Sequence, residues 1–521
     1  MELVAPEITA VARPEPRQRA WSWLPSLAQW TFVAVLGWLF ASEQGPKTLL
    51  ADGDLGWHIR AGEWILANGR VPLEDLFSFS MAGREWFAWE WLADVLFALA
   101  HRWNGLVGVT IASAALIAGA AALMLRLLLR QGADLFVALL LTFAAASVST
   151  IHWLARPHLF TWLLFLAALA LLESDRRRPS RRVWLLVPLT ALWVNLHGGF
   201  VAGLATVTAY GVGGIVERWR QGSPRLHSHA VRAGALLAAC LLATLVNPYG
   251  WDLHRHISGY LNSDFILEHV EEFQSPNFRG ESMALLEVWL FAAVLAAGRL
   301  LQKGEFARPL VALLWAHAAL TSVRHAPLFV LAAAPLIAAA LAEALEWGAR
   351  RSAHVRALQE VGADYRPDDS QHGAPWLALV AMAAVAIVAP GRLASENAPA
   401  DFPSEKFPVA ACDSIGEGIA DRRLLTTDQW GDYLIYRYSP RARVFIDGRS
   451  DFYAPEIRDD YLALMTARRN WRELLDRYGF EAALVPADWP LASLLAADPS
   501  WKQVYDDDQA LYFERLPEVE P

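Results

Sequence analysis

Charge is scarce in this chain of 521 residues: Asp, Glu, Lys and Arg together make up 19%, against about 25% in an ordinary soluble protein. Cysteine is scarcer still. Only Cys240 and Cys412 occur, far apart in unlike surroundings, which excludes a disulfide-stapled scaffold and a cysteine-cluster metal site. A basic excess is also missing. The 45 Lys and Arg face 54 Asp and Glu, a formal net charge of −9, and this argues against a nucleic-acid partner. Tandem repeats and low-complexity runs are absent. What is abundant is apolar. Hydrophobic residues reach 55% and mean hydropathy is +0.25. The 24 tryptophans suit a chain with many segments that cross membrane interfaces.

About eleven hydrophobic segments approach the ~20 residues a helix needs to cross ~30 Å of hydrocarbon. They are 24–43, 105–125, 134–154, 158–173, 183–197, 200–216, 232–247, 284–301, 309–323, 326–346 and 374–390. The first is read as a span and not as a cleavable signal, because a Pro- and Arg-bearing tail precedes it and no small-residue cleavage site follows. Basic residues alternate along the connections. One set carries Arg13, Arg17 and Arg19; Arg126 and Arg130; Arg176–Arg178, Arg181 and Arg182; Arg218, Arg220, Arg225 and Arg232; Arg299, Lys303 and Arg308; and Arg350, Arg351, Arg356 and Arg366. The positive-inside rule places these and the N-terminus in the cytoplasm. The long first loop (44–104), the loop 247–283 and the chain after 390 then lie outside. The segment 351–373 reads as a polar cytoplasmic loop.

The expected fold is therefore an α-helical polytopic membrane protein, with residues 1–390 as a transmembrane domain in the lipid bilayer. Residues 391–521 read as a soluble α/β domain. There, 443–448 and 482–486 have the character of short buried strands, and Ile457–Tyr478 has helical spacing.

Polar residues gather on the outer side. The first loop opens with Asp52-Gly53-Asp54, a pair of carboxylates that suits a hard cation or a general base; Asp54 equally suits the N-cap of a helix over Leu55–Ala67. That helix has an apolar and a charged face and is expected to lie on the membrane surface. Further along the loop, Glu90 stands among Trp86, Phe87, Trp89 and Trp91, where desolvation raises a carboxyl pKa unless a cation answers it. Span ends on the same side bring His152 with Arg156 and His158, Asn195 with His197, Asn247 with Tyr249, and Arg324 with His325. Arg156 and Arg324 suit a phosphate or pyrophosphate. His58, His158 and His197 suit a metal or a polar headgroup, and Asn195 a bond to a neighbouring helix. The expectation is one outward cavity with carboxylates on its loop wall and cations on its helical wall.

The topology with an acidic motif in the first outer loop resembles the C-type glycosyltransferases (the GT-C superfamily), which include oligosaccharyltransferases, protein O-mannosyltransferases and aminoarabinose transferases. More narrowly, Asp52-Gly53-Asp54-Leu55-Gly56-Trp57-His58, Gly69-Arg70-Val71-Pro72, Trp89-Glu90-Trp91-Leu92, Trp193–Gly199, Asn247-Pro248-Tyr249-Gly250, Trp430-Gly431-Asp432-Tyr433-Leu434 and Val444–Arg449 are similar to a widespread family of bacterial polytopic membrane proteins. The resemblance implies a polyprenyl-phosphate-linked sugar donor and an inverting transfer to a glycan, lipid or protein acceptor, on the periplasmic face of the bacterial inner membrane. It implies Asp52 or Asp54 as base or metal partner, with Glu90 as the second acidic residue. Asp54 and Glu90 are then the candidate ligands of a divalent metal, Mg or Mn, and Arg156, His158, His197, Arg324, His325 and His58 the residues for substrate and phosphate. Two departures stand out. Many relatives carry Pro where this chain has Gly53, and the oligosaccharyltransferases' Trp-Trp-Asp-Tyr-Gly signature has no counterpart, which argues against asparagine as acceptor. A flippase, another transport role or an envelope assembly role is the alternative. In the tail, Asp447, Arg449 and Asp451 suit either acceptor recognition or a charge-paired turn that locks the domain onto the membrane part.

Overall fold

Residues 24–42, 44–280, 283–371, 375–393 and 401–517 are described in a computed structural model of the protein. Arg13, Arg17 and Arg19, and the side chain of Arg366, lie outside the described residues.

The chain is a mostly helical, polytopic membrane protein with a small C-terminal α/β domain. All eleven hydrophobic segments contain helix, and among the described residues seven helices are long and apolar enough to cross a membrane. The remaining four are shorter or interrupted. Leu27–Ala41 and Ala307–Thr321 have 15 residues each and Leu186–Leu196 has 11; Trp376–Leu393 carries Pro390 near its end. Eleven crossings is therefore more than the helix lengths establish. The span expected at 105–125 belongs to a longer helix, Trp91–Gln131, bent where Asn104 and Gly105 leave helical backbone geometry. The polar segment expected as a loop at 351–373 is mostly helix, Ala353–Gln371.

The helix expected to lie on the membrane is Leu55–Asn68, and most of it is buried in protein. It is clamped between Trp91–Gln131 and the tail helix Asp428–Tyr438. Gly56 explains the close approach: a Cβ there would stand 2.2 Å from the Asp432 carbonyl oxygen.

Among the described residues the tail holds four strands: β1 (Leu424–Leu425), β2 (Ala482–Pro486), β3 (Trp501–Asp506) and β4 (Ala510–Arg515), in the spatial order β1-β2-β4-β3. β1 runs parallel to β2, and the other pairs are antiparallel. The segment 443–448 is not a strand of this sheet. Its backbone bonds go to the first loop instead: the Val444 N–H donates to Phe77 O and the Phe79 N–H donates to Val444 O, both at 2.9 Å. The single expected helix over 457–478 is two, Pro455–Met465 and Trp471–Tyr478, because the backbone turns at Ala467 (φ 52°).

First loop and tail share one apolar core, in which Leu55, Phe77, Trp86 and Phe97 meet Phe402, Trp430, Tyr433 and Val444. A buried ion triad fastens it. Arg449 pairs with Asp447 at 2.6 Å and with Asp75 of the first loop at 2.8 Å. Its guanidinium stacks 4.7 Å from the Trp86 and Phe452 rings. The Asp447-Gly448-Arg449 turn is thus charge-paired with the first loop.

Removing one partner of such a buried pair leaves a carboxylate desolvated and unanswered, at about 3–5 kcal/mol. Arg449→Ala is expected to lower the melting temperature of the detergent-solubilised protein accordingly. Melting together with wild type would show that the triad adds nothing to the junction.

Candidate active site

The first-loop acids meet the helical wall at Arg156. The backbone fixes the approach: the Ala155 N–H donates to Leu49 O at 2.8 Å, which sets the turn 153–157 against the chain just before Asp52. The Asp54 N–H donates to Asp52 Oδ1 at 3.0 Å, so the two carboxylates turn the same way. Arg156 then reaches Asp52 at 3.1 Å, Asp54 at 2.6 Å and Glu272 at 2.7 Å. Glu272 comes from a 3₁₀ turn in the loop 247–283 and was not singled out from the sequence. Burial opposes charge on Arg156, but the three carboxylates outweigh it and hold the guanidinium pKa well above its ordinary value. Burial likewise raises Glu272, and Arg156 with Arg324 outweighs that and holds it well below the usual carboxylate range.

The capping role considered for Asp54 is not realised: its side chain makes no cap bond, since it is turned toward Arg156. Gly53 has a specific reason to be glycine. Its N–H donates to Gln429 Oε1 at 2.8 Å, and a Cβ would stand 2.6 Å from the Gln429 carbonyl oxygen. Proline would lose the donor and collide with the tail helix.

That helix contributes Asp432, wholly buried, whose carboxylate accepts from the Gly448 N–H at 3.0 and 3.1 Å. Asp54 Oδ1 and Asp432 Oδ2 converge on Gly448. A Cβ there would lie 2.0 Å from the first and 2.7 Å from the second. Burial pushes both carboxyls up, and the nearby acids add to it; Arg156 acts on Asp54 in the opposite direction. Asp54 faces the Arg156 guanidinium at 2.6 Å, which opposes that rise, while Asp432 has the Gly448 N–H.

A second acidic centre forms around Glu90. His58 Nε2 lies 3.7 Å from Glu90 Oε2, and His197 Nε2 lies 3.5 Å from Glu90 Oε1. Each imidazole is held from behind. His58 Nδ1 is 2.6 Å from Asp94, one helical turn beyond Glu90. His197 Nδ1 accepts from the Gly199 N–H at 2.9 Å, which leaves the His197 proton on Nε2, facing Glu90. Burial, partly answered by Arg156, pushes the Glu90 carboxyl up to about 8.

Arg324 forms the third element. It makes no ion pair among the described residues; it donates to the Tyr260 hydroxyl at 3.1 Å and sits 4.4 Å over the Phe273 ring. Tyr260 packs edge-on to Trp89 at 5.7 Å, which joins this wall to the Glu90 segment. Beside it a cleft of about 540 Å³ opens between the helix Asp252–Leu261 and the tail, with His256, Tyr260, Asp451 and Arg458 among its walls. His256 binds Asp451 at 2.9 Å and stacks on Phe87.

Asp52, Asp54, Glu90, Arg156, His197 and Arg324 thus line one neighbourhood. His58 is at the same place but fully buried behind Glu90. His158 turns to the His152 carbonyl at 2.8 Å, and His325 faces Ala318 O at 3.3 Å, away from the acids. Asn195 Oδ1 accepts from Trp91 Nε1 of the helix Trp91–Gln131 at 2.8 Å, the bond to a neighbouring helix expected of it, and its amide donates to Val246 O at 2.7 Å. Asp54 and Glu90 do not act as a common ligand pair: the first is bound to Arg156, the second stands between imidazoles. Among the described residues no three His, Cys, Asp or Glu side chains converge as a metal-ligand set. The place between Asp52, Asp54 and Glu272 is filled by the Arg156 guanidinium, so the residues as arranged fit that cation and not a metal ion. Glu272, Asp94 and Asp432 went unassigned in the sequence. The available signals were acidic residues in an outer loop, at i+4 from Glu90, and inside the Trp430–Leu434 motif.

Gly448→Ala would force the Asp54 and Asp432 carboxylates apart. Overpacking of this kind costs about 1–3 kcal/mol, so a melting temperature several degrees lower is expected. An unchanged one would mean that the two carboxylates do not converge on Gly448.

Neither a protein-family model nor a curated protein matches this sequence. Solved structures do match. The oligosaccharyltransferase of Archaeoglobus fulgidus, tethered to an acceptor peptide containing the NVT sequon, superposes with a TM-score of 0.54 at 12% identity, over 94% of this chain and 74% of that one. The AglB structure from the same organism, with an inhibitory peptide and a dolichol-phosphate, gives 0.52 at 12% identity, over 95% and 74%. ArnT from Cupriavidus metallidurans bound to undecaprenyl phosphate aligns at 14% identity over 95% of this chain and 100% of that one, with a TM-score of 0.42. At such identities the likeness is one of fold alone: this chain shares the architecture of the archaeal oligosaccharyltransferase.

Proposed function

We propose that this protein is a membrane glycosyltransferase that moves a sugar from a polyprenyl-phosphate donor to an envelope acceptor, on the periplasmic side of a bacterial inner membrane. The observation that carries the reading is the meeting of Asp54 with Arg156 beside Glu90 and the guanidinium of Arg324, which has no ion pair among the described residues, within an architecture shared with lipid-linked sugar transferases. Residues 391–521 act in it as the domain that closes over the first loop, and the cleft at His256 and Asp451 admits the acceptor, whether glycan, lipid or protein.

The chemistry follows from the protonation states. Asp54, facing the Arg156 guanidinium at 2.6 Å, takes the proton of the acceptor's nucleophile. The nucleophile attacks the anomeric carbon from the side opposite the phosphate, so the carbon–oxygen bond to phosphate breaks as the new bond forms, with inversion. Arg324 holds the departing phosphate. Glu90, protonated at neutral pH, donates a hydrogen bond to a phosphate oxygen, and His197 and His58 keep it in place. Asp52 holds Asp54 and Arg156 in register and is a positioning residue. No step is assigned to a metal ion.

Asp54→Asn is expected to lower transfer at least about 1000-fold, measured as glycan product by mass spectrometry in proteoliposomes supplied with a lipid-linked sugar. Wild-type-like transfer by that variant, or passage of unaltered lipid across the vesicle without transfer, would refute the assignment. Glu90 predicts a pH effect of definite sign. Its donor form is present below about 8 and is lost as pH rises through that value, so activity falls on the alkaline side. Glu90→Gln keeps a donor and should remain within about tenfold of wild type, while the alkaline limb disappears; Glu90→Ala should lose about 100-fold. An alkaline limb that survives in Glu90→Gln belongs to another group.

A further inference from the structure

At the other end of the bundle a small cavity of about 60 Å³ opens between the helices His158–Arg177, Phe200–Arg220 and Leu226–Ala243. The first two start beside the candidate active site and run away from it, with 20 and 21 residues. At ~1.5 Å per residue that is ~30 Å, the thickness of the hydrocarbon core. The cavity therefore sits at the opposite membrane interface. Exposed Trp184 and Trp219 are close to it in the chain, as befits headgroup depth.

Its charges are unequally spent. Asp175 is taken by Arg232 through two bonds of 2.7 Å. Glu173, just behind, is taken by Arg308 at 2.6 Å and by the Tyr210 hydroxyl at 2.7 Å. Arg176 reaches its carboxylates, Glu173 and Glu305, only at 3.5 Å, and its Nε is buried without a hydrogen bond. Arg218 meets no carboxylate at ion-pair distance among the described residues. Its guanidinium is aimed by the Gly214 carbonyl at 3.1 Å and His229 Nε2 at 3.4 Å. Two guanidiniums thus retain unmet capacity around a space that holds a handful of waters, over a floor that includes Val183, Val207 and Leu236. The outer flank, Leu226–Ala243, buries only Leu236, Cys240 and Ala243, so an apolar chain could lie along it.

We propose that this cavity binds the phosphate of a bilayer lipid headgroup through Arg218 and Arg176, with the acyl chain along Leu226–Ala243. The site is separate from the transfer chemistry and does not depend on it. A planar, weakly hydrated guanidinium grips phosphate bidentately, and basic pockets between spans at an interface suit anionic headgroups.

The test is a native mass-spectrometry titration of the full chain in detergent with phosphatidylglycerol, phosphatidylcholine or inorganic phosphate. Phosphatidylglycerol should bind one saturable site, about fivefold more weakly in Arg218→Gln, and phosphatidylcholine and inorganic phosphate should not compete for it. Arg218→Lys, which keeps the charge and loses the fork, should give an intermediate loss and serves if the Gln variant does not fold. Equal binding of phosphatidylglycerol by wild type and variants would overturn the proposal. So would equal binding of phosphatidylcholine, or displacement by inorganic phosphate, which would make this a free-anion site.

Discussion

One buried guanidinium holds the acidic centre together. Asp52 and Asp54 from the first loop and Glu272 from the loop 247–283 could not be desolvated side by side without a cation among them. Arg156 supplies it, with all three carboxylates within 3.1 Å. Much of the local architecture serves that contact. The turn before helix His158–Arg177 is pinned to Leu49, the Asp54 amide is pinned to Asp52, and the 3₁₀ turn at Glu272 is tied by the Ser322 hydroxyl to the segment that carries Arg324. Through Asp432 and Gly448 the tail is drawn to the same point.

The consequence is a site with two carboxyls of opposite character. Asp54 has a guanidinium at contact distance, which works against its burial. Glu90 has imidazoles beside it and, among the described residues, no guanidinium in contact, and burial raises its pKa to about 8. Environments that drive like groups apart in this way are how one pocket runs both acid and base chemistry. Arg324 completes the set as a cation with no ion pair among the described residues, next to an aromatic wall that opens onto the cleft at His256 and Asp451.

Membrane character was legible because hydropathy over ~20 residues is a strong signal, and the strand Ala482–Pro486 was legible for its apolar run. The acids of the first loop stood out by position, and so did Arg156 and Arg324. Other features depend on contacts far apart in sequence. Segment 443–448 has strand composition, yet its partner is the first loop and not a strand of the sheet. Leu55–Asn68 has the two faces of a surface helix, but glycine lets the tail cover it. Glu272 and Asp432 are ordinary acids until folding sets them against Arg156 and Asp54. His58 and His325 looked alike in sequence, but one is locked to Asp94 inside the site and the other faces a carbonyl away from it.

The most direct test is an experimental structure of the protein bound to a non-transferable polyprenyl-phosphate sugar. The account predicts the phosphate within hydrogen-bond distance of Arg324 and of Glu90, with the anomeric carbon turned toward Asp54 while Arg156 remains joined to Asp52 and Glu272. A phosphate bound elsewhere, or an Asp54 carboxylate facing bulk solvent apart from Arg156, would contradict it.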